Sequence, residues 1–467
     1  MRDTEFVYAG EPGRAYGFYT VARDGAGNLE EAPAAPDAVV TLAPVVETTL
    51  DKAHSSLRFI DEDGTPVTVG WHEAGTVTIA RWSDPARGGR GDIYSITIRG
   101  SSGSSRLTIA PDGGRTTVDT LESEGPLAEL NLKNVDILSE VLLAAPAAQI
   151  EVGDLRSGAR MVVGGDCSEG WTLAAGRVGE GSILASACPI ASLKVAEWQS
   201  GAISAPWLGR LAVSGDFGAD LVLTGQGVPA RRATLGDVKI AGQVTAGTWD
   251  IAGSGGTLKI NSAAEGWQAL FTGGLKHVTV AGNLSGQLTA RSVDRVRVGG
   301  DMLNAGIALT LGPDAGGLAL GRLDVKGRVD TSRLLAAGSM GRLVVGGLRN
   351  ASIFAGVAVL LDENGDGFLD LPCPPVDVTA ASSIDRLAVR GVANGYAILN
   401  SNVAAGFLGS ASLRDAQFDN QGSRFGLAAD SYGRVTYNDS DRRFDWAGDS
   451  GDEPPAYTDF VILAGRR

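Results

Sequence analysis

The stretches "RLAVSGDFGADLVLTG" (Arg210–Gly225), "DVKIAGQVTAGTWDIAG" (Asp237–Gly253), "HVTVAGNLSGQLTARS" (His277–Ser292), "RVRVGGDMLNAGIALTLG" (Arg295–Gly312) and "RLVVGGLRNASIFAG" (Arg342–Gly356) are variants of one unit. Each opens with apolar-x-apolar, passes through a glycine and a polar residue, and ends in a second short apolar run. The opening pairs are Leu193/Val195, Leu211/Val213, Val238/Ile240, Leu258/Ile260, Val278/Val280, Val296/Val298, Leu323/Val325 and Leu343/Val345, at steps of 18, 27, 20, 20, 18, 27 and 20 residues. A period of that length is the signature of a solenoid. Alternation over three to five positions is the period of a strand with one buried face, and no stretch of comparable length has helical spacing.

Glycine stands where each strand has to turn, and it accepts the positive φ of a tight bend without steric cost. Short strands with corners, repeated about every 20 residues, describe an all-β chain wound as a parallel β-helix. Stacking pairs each strand with its equivalents above and below and lines Leu, Val and Ile into internal ladders. The expected hand is right-handed, the one that right-twisted strands favour for parallel crossovers.

Working outward, the beat starts loosely at Leu130/Leu132 and continues through Ile150/Val152 and Trp171/Leu173. It resumes after a 44-residue gap at Leu387/Val389. This predicts coils over 126–410, from about Leu130 to Phe407, with an insertion at about 356–380. The preceding 46–125 reads as a β-rich cap closing the first coil against edge pairing. Within it, Asp63-Gly64 and "GSSGSS" are both hairpin signals. The tail, 411–467, turns polar and aromatic, and "TDFVILAGRR" predicts one final docked strand.

Residues 1–45 alternate strand and turn. "AYGFYTVARDGAGNLE", with Tyr16, Phe18, Tyr19, Val21, Asp24, Gly25, Ala26, Gly27 and Asn28, resembles the closing strands of fibronectin type III or other immunoglobulin-like modules of bacterial surface proteins. Such a sandwich takes about 100 residues, so the resemblance implies a partial N-terminal remnant whose earlier strands lie upstream of Met1. The order of module, cap and glycine-rich coils resembles large modular secreted or cell-surface bacterial proteins. That likeness implies an extracellular location and a structural or adhesive role, with cell-surface or matrix glycans or proteins as partners. It supplies no catalytic motif.

Composition sets limits. Net charge is −14 with 66 glycines, which argues against a nucleic-acid partner, since phosphate backbones are held by clustered Lys and Arg. No apolar run reaches the roughly 18 residues of a membrane span, so no membrane insertion within the chain is expected.

The clearest chemical constellation is "DENGDGFLD". Asp362, Asn364, Asp366, Phe368 through its carbonyl, and Asp370 occupy the spacing of a calcium loop, with Gly367 at the sharp turn. The twelfth position is Cys373 rather than the bidentate Glu, and Pro372, Pro374 and Pro375 exclude a flanking helix. Ca2+ is therefore the one cofactor expected, with a plain acidic turn as the other reading. Cys167 and Cys188 lie 21 residues apart, about one coil, and stand either as a disulfide or as two thiols in the stack; Cys373 has no evident partner. His54, His72 and His277 have no zinc spacing. His277 precedes its beat where other coils place Arg210, Asp237, Arg322 or Arg342, which marks an outward position.

No catalytic residue is assigned. Paired glycosidase carboxylates stand about 5 to 9.5 Å apart. The best repeated ones here, Asp216 and Asp301, fall four coils apart, roughly 19 Å, with Gln243 and Asn283 between and Arg328 beyond. A polysaccharide lyase or hydrolase is thus the least favoured reading. Trp198, Trp207, Trp249 and Trp267 either fill the interior or offer a sugar-stacking face, which keeps a carbohydrate-binding solenoid open as the alternative.

Overall fold

The computed structural model describes residues 8, 10–165, 167, 170–362, 368–439, 442–448, 453–455 and 457–465. The architecture is a parallel β-solenoid with roughly 20 residues per coil. Among the described residues the only helical elements are two 3-10 turns, Pro85–Arg87 and Pro313–Ala315. The chain divides into two compact units, Met1–Asp166 and Cys167–Arg467.

In the first unit, Ala15–Phe18 and Ala38–Thr41 form a two-stranded antiparallel sheet. Val45–Leu50 pairs antiparallel with Thr76–Trp82, and Ser56–Ile60 with Pro66–His72 around the Asp63-Gly64 turn. These strands then pair antiparallel with Ile93–Arg99 and Arg106–Pro111. From there pairing becomes parallel, with Ile93 opposite Val118 and Leu107 opposite Leu130. The coils thus begin earlier than the expected Leu130. "GSSGSS" is a corner and not a hairpin, because the strands on either side of it each pair with the next coil, among the described residues.

In the second unit the beat becomes the register. Leu193, Leu211, Val238, Leu258, Val278, Val296, Leu323 and Leu343 are successive partners, and Leu343 continues to Leu387. Val213, Ile240, Ile260, Val280, Val298, Val325, Val345 and Val389 form the neighbouring column. Every one of these side chains is buried, each contributing about 1.5–3 kcal/mol relative to exposure. A second wall carries Leu221, Trp249, Ala269, Leu288, Ile307, Leu334 and Ile353 in register, so a bulky indole sits on an alanine.

The direct pairing of Leu343 with Leu387 makes the 44-residue gap one coil with a long excursion after Ser352–Ala355. Leu369 of that excursion packs on Phe354, Ala404 and Ala428. Parallel pairing runs past Phe407, through Val403 opposite Leu427, to the last strand, Phe460–Ala464, which docks on Phe425–Asn438.

Inward and outward positions differ sharply in what they tolerate. Val280→Asp sets an unpaired carboxylate inside the ladder and is expected to cost about 3–5 kcal/mol. Asn283→Asp keeps the oxygen that accepts the Asp301 amide and is expected to cost about 1 kcal/mol or less. Thermal melting of the two variants checks this, and equal losses would overturn the inward and outward assignment.

Candidate functional site

The residues with chemical potential fall into corners, excursion and outward columns. At the corners, carboxylates and amides serve the main chain of the next coil. Asp216 Oδ1 accepts from the Gln243 amide at 2.7 Å, Asp220 Oδ1 from Thr248 at 2.7 Å, Asn283 Oδ1 from Asp301 at 2.9 Å and Asp301 Oδ1 from Arg328 at 2.6 Å. A bend leaves amides outside the regular ladder, and these oxygens satisfy them. Asp216 and Asp301 therefore act as corner brackets.

This bracketing explains glycines that the sequence attributes to positive φ. Gly300 and Gly327 do not adopt left-handed backbone. A Cβ at Gly300 would lie 2.1 Å from Asn283 Oδ1, and one at Gly327 would lie 2.0 Å from Asp301 Oδ1. The absent side chain makes room for the bracket one coil below.

Two other carboxyls are equally committed. Asp136, 2% exposed, receives Arg115, the Arg156 guanidinium at 2.7 Å and the Asp154 amide at 3.0 Å. Asp61 is pushed up to about 6 by burial, reinforced by the neighbouring Asp63. It sits in the Asp63-Gly64 turn, where it accepts the Thr65 amide at 2.8 Å.

Of the calcium-loop residues, Asn364 and Asp366 lie outside the described residues, as does Gly367. Asp362, Phe368 and Asp370 are described. The Asp370 amide donates to the Leu361 carbonyl at 2.8 Å, closing the neck of the loop, and Asn402 Nδ2 fixes the Leu369 carbonyl at 2.8 Å. Phe368 lines two clefts. One, of 270 Å³, is lined by Gln287, Asn304, Thr331, Arg333 and Asn350; the other, of 300 Å³, by Asp370, Asn400, Asn402, Ser423 and Arg424. Among the described residues no group of three or more His, Cys, Asp or Glu side chains converges as a metal site.

The tryptophans are interior. Trp198, Trp207, Trp249 and Trp267 are at most 2% exposed, which removes them as a sugar-stacking face. Trp198, Phe217, Trp249 and Trp267 stack edge to face at centroid distances of 6.3, 6.0 and 5.4 Å, a favoured aromatic geometry. Cys167 and Cys188 are joined as a disulfide with Cα atoms 5.6 Å apart, and Cys373 is free and exposed.

The outward position one residue before each apolar pair, which the sequence marks at Arg210, Asp237, His277, Arg322 and Arg342, becomes a column in the register. His277, Arg295, Arg322, Arg342 and Arg386 are successive register partners.

Among the described residues no helix is long and apolar enough to cross a membrane. No known family model, curated protein or solved structure matches the chain.

If Asn283 is what makes glycine necessary at 300, the two positions must couple. Gly300→Ala alone is expected to destabilise by about 1–3 kcal/mol, and the Gly300→Ala/Asn283→Ala pair by less than the sum of the single changes. Denaturant unfolding of the cycle measures the coupling, and strict additivity would refute the bracket.

Proposed function

We propose that the chain is a non-catalytic structural or adhesive segment of a bacterial extracellular or cell-surface protein. The observation that carries the reading is the engagement of Asp216, Asp220, Asn283 and Asp301 with backbone amides of the following coil. An acid or base of a hydrolase or lyase needs its oxygen directed at substrate, and these oxygens hold the stack. The disulfide between Cys167 and Cys188 suits an oxidising compartment.

Neutral and acidic polysaccharides incubated with the full chain are expected to keep their length on size exclusion. Shortening that disappears in Asp216→Asn or Asp301→Asn would replace this reading with an enzymatic one.

The proposal includes calcium at Asp362–Asp370. Its support is the backbone bond between Leu361 and Asp370, which brings the two ends of the motif together. Without a bidentate twelfth ligand the affinity belongs in the range of extracellular modules, about 10⁻⁴ to 10⁻³ M. Calorimetry with millimolar calcium is expected to give a binding heat for the wild type that is lost in Asp362→Ala/Asp366→Ala. Equal heats for both would leave the loop as an acidic turn.

A further inference from the structure

The outward arginine column has no counterpart in the chain's overall charge. Arg295, Arg322, Arg342 and Arg386 occupy one register position on four successive coils. Arg297 adds a fifth guanidinium in the next outward column, opposite Asp324. Five guanidinium groups thus meet one carboxylate at these positions. Arg322 is ion-paired with Asp324 at 3.0 Å. Among the described residues, no ion pair holds Arg295, Arg297, Arg342 or Arg386, and all four are exposed. Asp294 and Asp385 precede Arg295 and Arg386 in the same strands, Ser292–Val298 and Ser383–Val389, and among the described residues neither comes within ion-pair distance of an arginine.

The fold does not require arginine there. The same register position is Thr257 below His277 and Ser410 above Arg386. Like charges stacked at the strand repeat of about 4.8 Å repel one another. The stacking becomes favourable when an anion lies across the column, because guanidinium groups present paired donors to carboxylate or sulfate oxygens.

We infer that this column binds a linear acidic polysaccharide, carboxylated or sulfated, laid along the stack. Charges repeated in equal steps along a straight line match a polymer whose anions also repeat along a line. A nucleic-acid duplex winds its phosphates around an axis, and the two columns contain no Phe, Tyr or Trp between coils 277 and 388 on which a single strand could stack its bases. The inference deepens the adhesive reading by naming a partner class, and it depends on that reading only for its biological consequence.

The test titrates the full chain with labelled polygalacturonate and with heparin, using neutral dextran and duplex DNA as the other arms. The Arg295→Ser/Arg342→Ser/Arg386→Ser variant introduces the residue that Ser410 already places in the column. Arg58→Ser/Arg106→Ser/Arg231→Ser alters net charge by the same amount at exposed sites elsewhere, taking −14 to −17 in both cases.

At least one acidic polysaccharide is expected to bind the wild type in a salt-sensitive manner. The column variant should lose at least about 10-fold in affinity, with a shallower salt dependence, while the control variant loses far less. Matching melting curves confirm that both variants are folded. Equal losses in the two variants, absence of binding to either polyanion, or tighter binding of DNA would overturn the assignment. Size exclusion of the polysaccharide after incubation keeps the two proposals apart, since shortening refutes the non-catalytic reading whatever the column's affinity.

Discussion

In-register parallel pairing between coils is the constraint on which the rest of this molecule depends. It places each residue over its equivalent at about 4.8 Å, so a side chain must be compatible with a close relative of itself. Apolar groups meet that condition readily, as the Leu211 to Leu387 column shows. Amides also meet it, being donor and acceptor at once: Asn400 Nδ2 donates to Asn350 Oδ1 at 3.2 Å, and Asn420 Nδ2 to Asn400 Oδ1 at 2.9 Å. Guanidinium groups have donors only and cannot satisfy one another.

The same constraint accounts for how much of the fold was legible. Inward positions must be apolar and strand geometry must alternate, so the pairs from Leu193/Val195 to Leu343/Val345 identified register partners from sequence alone. The onset of the coils was hidden because alternation has the same period in parallel and antiparallel strands. Nothing in "GSSGSS" distinguishes a coil corner from a hairpin. The glycine requirement at 300 and 327 was equally concealed, since its cause lies one coil below, at Asn283 and Asp301, and not in the local backbone.

Corners also limited the reading of individual side chains. Between Val195 and Trp198 the chain passes a bend, so parity counted from the apolar pair no longer tells inside from outside, and Trp198 proves buried. Of the candidate site, the spacing of Asp362 to Asp370 was visible, whereas its closed neck depends on the amide–carbonyl bond between Asp370 and Leu361. The arginine positions were in plain view one residue before each pair. They carried little meaning until register made four of them neighbours.

A net charge of −14 is a sum over the whole chain, whereas a ligand meets one column. In a compact fold, residues spread over some 90 positions contribute to a common field only by tertiary accident. In a stack, one position repeated every coil becomes a straight array, and substituting it leaves the buried columns intact because alternate residues face opposite ways. Stability therefore resides in Val296, Leu323, Leu343 and Leu387, while Arg295, Arg322, Arg342 and Arg386 are free to differ from coil to coil. An outward run of like charge is thus more informative in a solenoid than in a globular domain.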